Sequence, residues 1–180
     1  MLGLVAAGGL LAQAEDPGHF EVRSGSLELI DGDYYVDALI YLRLPTEAAN
    51  ALHSRLPLTI RVEVEFLNRL RLWWDNVQFE ASRRSQLTYY PLTDRYVVTH
   101  IDTGVREDFV TLAGALEFIG RVDRLYVTPA DLLDRDLRYD IRVRAVLDKD
   151  ELPGPLRLLA FWRRDWSIAS DWLLWRLDDE

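Results

Sequence analysis

The sequence contains no cysteine among its 180 residues, so disulfides, thiolate metal sites and cysteine nucleophiles are excluded. Lysine is almost absent as well, because Lys149 is the only one, and arginine supplies the other basic side chains. The acidic residues outnumber the basic ones by 30 to 21, which gives a net charge of −9. Nucleic-acid binding depends on clustered basic residues that neutralise phosphates, so this acidic chain is not expected to bind nucleic acid.

The chain also lacks the sequence motifs of common catalytic and metal sites. It has no GxSxG nucleophile elbow, no P-loop and no GxGxxG. The three histidines His19, His53 and His100 lie too far apart to indicate a metal-binding helix or hairpin. Asp31-Gly32-Asp33 resembles part of a calcium loop, but the glutamate at its twelfth position is missing. We therefore expect no enzymatic activity, no metal and no cofactor.

The only long apolar run is at the N-terminus, in residues 1–14. It carries no charged side chain and ends in the small-x-small pattern Ala12-Gln13-Ala14. This predicts a secretory signal peptide cleaved after Ala14, although the usual basic start of such a signal is absent. A disordered or core-packed N-terminus is the alternative. A membrane span needs about 20 apolar residues, so no span is expected after cleavage. The predicted product is one periplasmic domain, residues 15–180.

Apolar and polar side chains alternate with a period of two through most of this domain. Such stretches begin at Tyr34, Ile60, Val77 and Leu137. Because successive side chains of a strand point to opposite faces, each stretch has one buried face, as in antiparallel sheets. Roughly eight strands with few helices predict an antiparallel β-sandwich, immunoglobulin-like in general architecture, with two or three short helices.

Turn and capping residues divide the chain further. Asp31-Gly32 predicts a tight hairpin, and Ser24-Gly25-Ser26 shifts the alternation as a β-bulge does. Helix starts are expected at three threonines, each followed by helically spaced apolar residues or by a proline: Thr46, Thr111 and Thr128. Gly120 is expected to end the second helix.

Six tryptophans offer candidate contacts with a partner. An exposed indole can stack on a sugar or anchor a protein interface, whereas burial in the core is the common alternative. Trp73 and Trp74 end the third long strand, which is the one that includes the stretch from Ile60. In the C-terminal segment the even positions, including Trp172 and Leu174, form one apolar face, so Trp175 breaks the alternation and is expected to be exposed.

Arginine contributes the fourth candidate contact. Arg83 interrupts the apolar face of the stretch from Val77, together with Ser85, which indicates a bulge or an exposed end. Other arginines alternate with acidic residues on single strand faces, at positions 138, 142 and 144 with Asp140, and at position 61 with Glu63 and Glu65. Cross-strand arginine–carboxylate ladders account for these, and a polar partner surface is the alternative.

Several segments resemble one known family. They are Phe20-Glu-Val-Arg-Ser, Asp31-Gly-Asp-Tyr-Tyr, the run from Pro57 to Glu65 with Trp73-Trp74-Asp75 after it, and Asp165-Trp-Ser with Ser170-Asp-Trp. The chain is similar over about residues 20–175 to a small proteobacterial family, domain of unknown function four-three-nine-zero. The resemblance implies an exported protein, often encoded beside a membrane sensor histidine kinase of the nitrogen-regulation type. It implies no catalytic residue.

These observations favour a periplasmic, non-enzymatic accessory factor that binds a protein. Its expected partner is the extracytoplasmic part of a sensor kinase or another envelope protein, and the candidate contacts are Trp73, Trp74, Trp175 and Arg83. The alternative is a module that binds a small ligand or a glycan on exposed tryptophan faces.

Overall fold

The computed structural model describes residues 16–68, 76–134, 137–148 and 168–177. These residues form nine strands, two α-helices and one 3-10 turn. In chain order they are β1 (His19–Ile30), β2 (Asp33–Arg43), α1 (Thr46–His53), β3 (Leu58–Asn68), β4 (Asn76–Tyr90), β5 (Arg95–His100), β6 (Arg106–Phe109), α2 (Leu112–Gly120), β7 (Arg121–Pro129), the 3-10 turn (Ala130–Leu132), β8 (Tyr139–Asp148) and β9 (Leu173–Arg176). None of the described helices has the length and hydrophobicity to cross a membrane. The predicted signal segment, residues 1–14, lies outside the described residues.

The strands form two antiparallel sheets that share one hydrophobic core. The smaller sheet has the order β1-β2-β7, and the larger has the order β6-β5-β4-β3-β8-β9. The core joins Val36 and Ile40 of β2 to Val64, Phe66 and Ile141 of the larger sheet. The prediction of a mainly β, antiparallel fold with short helices is therefore confirmed.

The alternation along β2, β3 and β8 has the predicted phase, because their inner residues belong to this core. The hairpin at Asp31-Gly32 is confirmed too, since the two residues have φ angles of 52° and 91° and Ile30 lies opposite Asp33. The bulge is also present, because the register of β1 against β2 shifts between Val22 and Ser24.

The interruption of β4 is neither a bulge nor an exposed end. β4 pairs with β3 without a shift from Phe79 to Leu87, and Ser85 is only 1% exposed. A polar side chain is tolerated at this position because the Ser85 hydroxyl and His100 Nδ1 share a hydrogen bond of 2.8 Å.

One of the three predicted threonine caps is confirmed. Thr111 precedes α2, and its hydroxyl accepts the Gly114 N–H at 3.1 Å. Thr46 is instead the first residue of α1, after Pro45, and its hydroxyl accepts the Asp16 N–H. Thr128 lies within β7, where the strand continues to Pro129 and only a 3-10 turn follows. The start predicted at Thr128 was wrong because pairing with β2 holds Thr128 and Pro129 extended, so the helical turn begins only at Ala130.

Candidate functional site

Trp73 and Trp74 lie outside the described residues, and Trp175 points inward. Trp175 is half-buried against the core and lies opposite Ile141, which is fully buried. Its ring lies so close to Gly25 that a Cβ there would come within 2.7 Å of Trp175 Cη2. Leu174, by contrast, is 54% exposed. The predicted phase of this strand was wrong, because pairing with β8 turns its odd positions toward the core.

Trp172 lies on the opposite side of the larger sheet, where arginines cover it. The guanidinium carbons of Arg142 and Arg144 are each 4.3 Å from the centroid of the Trp172 ring. Such cation–π contacts use the π face that a sugar would need. Of the described tryptophans, Trp172 is thus engaged by arginines and Trp175 by the core, so neither favours the glycan-binding alternative.

Arg83 links the two sheets. Its guanidinium donates a hydrogen bond of 2.6 Å to the carbonyl oxygen of Asp123 in β7. Burial lowers the pKa of Arg83, and the nearby carboxylates of Asp123, Asp102 and Asp37 partly offset that effect. The half-buried side chain therefore satisfies a backbone carbonyl of β7.

Ser85, His100 and Asp102 look superficially like a catalytic triad, but their arrangement is structural. Ser85 and His100 are 1% and 8% exposed, which leaves a substrate no access to the hydroxyl. The Asp102 carboxylate is held by Arg84, through contacts of 2.9 and 3.2 Å from the guanidinium and 2.8 Å from the backbone N–H. The His100 ring stacks on Phe118 with 5.1 Å between centroids. Burial lowers the pKa of His100, Arg83 lowers it further, and Asp102 acts in the opposite direction.

The predicted arginine–carboxylate ladder is confirmed on the outer face of the larger sheet. Glu63 of β3 lies opposite Arg144 of β8, and Glu65 lies opposite Arg142. The shortest nitrogen–oxygen distance in each of these pairs is 2.6 Å. Arg61 adds contacts of 2.9 Å to Glu63 and 3.3 Å to Asp148. The Glu63–Arg144 and Glu65–Arg142 pairs cross from β3 to β8, as the ladder requires, whereas the contact of Arg61 with Glu63 lies within β3.

The surface that the sequence did not reveal is a groove between β2 and α2. Residues 39–43 of β2 and the following Leu44 form one wall, and α2 forms the other with Leu112, Ala113 and Leu116. Its volume is about 660 Å³. Leu39 and Tyr41 are 43% and 39% exposed although both are large apolar side chains. Their apolar character was a signal in the sequence, but Asp37 and Arg43 on the same face made it look uniformly polar.

The topology leaves one edge of β2 without a neighbouring strand along this groove. β1 pairs with β2 as far as Arg43, whereas β7 pairs with it only as far as Leu39. From Ile40 onward, α2 takes the position beside β2, and no described strand continues the pairing. The backbone of α2 packs closely against this edge, because a side chain at Gly120 would collide with the carbonyl oxygen of Ile40.

Three arginines surround the groove. The guanidinium of Arg23 lies 4.6 Å from the centroid of the Tyr41 ring. Arg43 pairs with Asp16 at 3.0 Å, and Arg121 pairs with Glu117 at 3.7 Å. All three side chains are half-exposed or more, so these ion pairs are weak and their cations remain accessible to a partner.

A second surface cleft is strongly acidic. It has a volume of about 810 Å³ and is lined by the carboxylates of Asp31, Asp33, Asp131 and Asp134, with Arg138 beside them. Within the described part of the chain, no three histidine, aspartate or glutamate side chains converge so as to hold a metal ion. The groove between β2 and α2 is lined by more apolar surface than this cleft, which makes it the better candidate for a protein contact.

Comparison with known families gives one match. A family model described as "Domain of unknown function (DUF4390)" matches residues 18–176. No curated protein and no solved structure matches the chain. The match includes every described strand and helix, and its description assigns no activity.

Proposed function

Because the chain belongs to the DUF4390 family, a domain of unknown function, we propose from its surface that it is a non-enzymatic protein-binding module of the cell envelope. The observation that carries this proposal is the apolar groove between β2 and α2. The two sheets with their common core suit a β-sandwich, and an immunoglobulin-like arrangement of that sandwich is part of the proposal.

The composition of the groove favours a protein partner. Tyrosine and arginine are enriched at the centres of protein interfaces, and here Arg23 stacks over Tyr41 beside the exposed Leu39. The open side of the groove adds to this recognition. An apolar segment of the partner would lie against the exposed side chains of Leu39 and Tyr41 and the outer side of α2.

The sequence supplies the proposed location and partner. The apolar segment ending at Ala14 supports export to the periplasm, with cleavage after that residue. The family resemblance suggests a neighbouring sensor histidine kinase, so we take its extracytoplasmic part, or another envelope protein, as the partner. The acidic net charge of −9 and the absence of a basic block speak against nucleic acid.

Site-specific photo-crosslinking in cells tests this proposal. A photoreactive amino acid at Ala113, an exposed residue of the groove, should give an adduct with a membrane protein. The matched control is the same amino acid at Leu92, which is 98% exposed in the turn between β4 and β5. Leu39→Glu should reduce the Ala113 adduct at least tenfold. Adducts that are equal at the two positions, or that survive Leu39→Glu, would contradict the proposal.

A further inference from the structure

Four side chains with oxygen or imidazole donors meet where α1 packs beside the hairpin of β4 and β5. His53 is the last residue of α1, and Tyr89 and Tyr96 lie directly opposite each other on β4 and β5. Asp94 belongs to the turn that joins these two strands. The two tyrosines pack against the hydrophobic core and remain partly exposed. We call these four residues the tyrosine cluster.

The donor atoms of the tyrosine cluster lie in two hydrogen-bonded pairs. His53 Nε2 and the Tyr96 hydroxyl are 2.8 Å apart, and the Tyr89 hydroxyl donates to the Asp94 carboxylate at 2.8 Å. The pairs adjoin each other, because the centroid of the Tyr89 ring is 5.1 Å from that of His53 and 5.0 Å from that of Tyr96. Hydrogen bonding to Asp94 raises the pKa of Tyr89, and burial together with Asp94 raises the pKa of Tyr96. One carboxylate therefore acts on both phenols.

The spacing within each pair suits a small octahedral metal ion. Neighbouring donor atoms bound to such an ion at about 2.0–2.1 Å lie about 2.8–3.0 Å from each other. Both pairs of the tyrosine cluster have this spacing already. Four protein donors would leave two of the six positions for water or a small anion.

The chemistry of the donors favours ferric iron. Phenolate and carboxylate oxygens are hard, anionic ligands, and imidazole and tyrosine oxygen both bind iron in proteins. Two phenolates and one carboxylate carry three negative charges, which match the charge of Fe³⁺. The chain has no cysteine that would favour a softer metal. We propose that the tyrosine cluster binds one ferric ion.

This site is separate from the groove between β2 and α2, because no residue of the tyrosine cluster lines that groove. The proposal therefore does not depend on the proposed function. The spacing of the histidines predicted no metal, because the ligands that join His53 are tyrosines and an aspartate rather than other histidines. Tyr96 is also 43 residues away from His53 along the chain.

Titration of the purified protein with ferric nitrilotriacetate tests the proposal. Coordination of phenolates to Fe³⁺ produces a visible charge-transfer band, which should saturate at one iron per chain. Tyr89→Phe and Tyr96→Phe should each weaken the band and lower the affinity for iron at least about tenfold, and the double variant should show no band. Tyr90→Phe is the matched control. Tyr90 is 43% exposed and its ring faces Arg106 instead, so this variant should match the parent.

Two further variants test the other donors. His53→Gln and Asp94→Asn keep polar side chains of similar size, and each should lower the affinity for iron at least about tenfold. Urea denaturation of every variant separates a lost ligand from a lost fold, and each variant that keeps its fold tests the proposal by itself. Absence of the band in the parent, or a band as strong in the double variant as in the parent, would overturn the proposal. A band that weakens as much in Tyr90→Phe would also overturn it, because the iron would then bind to exposed tyrosines in general.

Discussion

At the residue scale, the buried imidazole of His100 in the larger sheet makes the stability of the fold depend on pH. His100 is buried between Ser85 and Phe118, and burial together with Arg83 lowers the pKa of its imidazole below 6.5. The unfolded chain therefore binds a proton at a higher pH than the folded chain does. The free energy of unfolding should fall as the pH drops below about 6.5, and should level off once the folded-state imidazole is protonated.

Chemical denaturation of the parent and of His100→Asn between pH 7.5 and 5 tests whether His100 causes this fall in the free energy of unfolding. The asparagine side chain can still form a hydrogen bond with Ser85. We expect the variant to lose part of the acid slope that the parent shows. His19→Gln is the matched control, because His19 is exposed and should keep the parent slope. Identical slopes in the parent and in His100→Asn would contradict the assignment.

Gly25 is the second residue with a specific structural demand. A methyl group at this position would collide with the ring of Trp175, which closes the gap between β9 and β1. Gly25→Ala should therefore lower the free energy of unfolding by about 1–3 kcal/mol, the usual cost of overpacking. Trp175→Leu in the same chain should recover part of this loss. Urea denaturation measures both, with Ser26→Ala as an exposed neighbour that should change little. If Trp175→Leu does not recover any of the stability lost in Gly25→Ala, then contact with the Trp175 ring is not the cause of that loss.

At the scale of elements, the ladder between β3 and β8 is an energetic link as well as a charge pattern. The Glu65 and Arg142 side chains are only 17% and 24% exposed, and their atoms approach to 2.6 Å. A double-mutant cycle with Glu65→Gln and Arg142→Gln should give a coupling energy of about 1–2 kcal/mol. The control pair, Arg95 and Asp108, is 43% and 67% exposed at 3.7 Å, and should couple by less than about 0.5 kcal/mol. Equal coupling in the two cycles would show that the ladder is no stronger than a surface ion pair.

The elements also differ in how far their sequences predicted them. β2, β3 and β8 were predicted because each buries one face along its whole length, which produces unbroken alternation. β7 breaks its own pattern, since Arg124 has a φ of +47° and the register against β2 shifts twice. In β9 only four residues pair, and the tryptophans suggested the opposite phase. Ser85 and Arg83 looked like an interruption because their partners, His100 and Asp123, are distant in the sequence.

At the scale of the whole molecule, the candidate site could not be predicted without knowing how β2, β7 and α2 are arranged. Its walls come from the end of β2 and the exposed side of α2, with Arg23 of β1 beside them, and these three parts of the chain share no common motif. The groove is exposed because β7 stops pairing with β2 at Leu39, and beyond that residue α2 lies beside β2 instead of a strand. The alternation of apolar and polar residues within a strand does not indicate where its pairing with another strand ends. The two candidate contacts that the structure describes, Trp175 and Arg83, do not line the groove.

The last prediction separates the groove from the stability of the fold. Leu39 and Tyr41 face outward, and neither belongs to the hydrophobic core cluster. Leu39→Glu and Tyr41→Glu should therefore change the free energy of unfolding by no more than about 0.5 kcal/mol, as surface substitutions generally do. The same variants should lose the partner adduct at Ala113, because a carboxylate would be buried against an apolar partner segment. Urea denaturation and crosslinking yield, both measured on each variant, distinguish a loss of partner binding from a loss of stability. If either variant unfolds the protein, these side chains support the fold, and if both variants keep the adduct, the partner binds elsewhere.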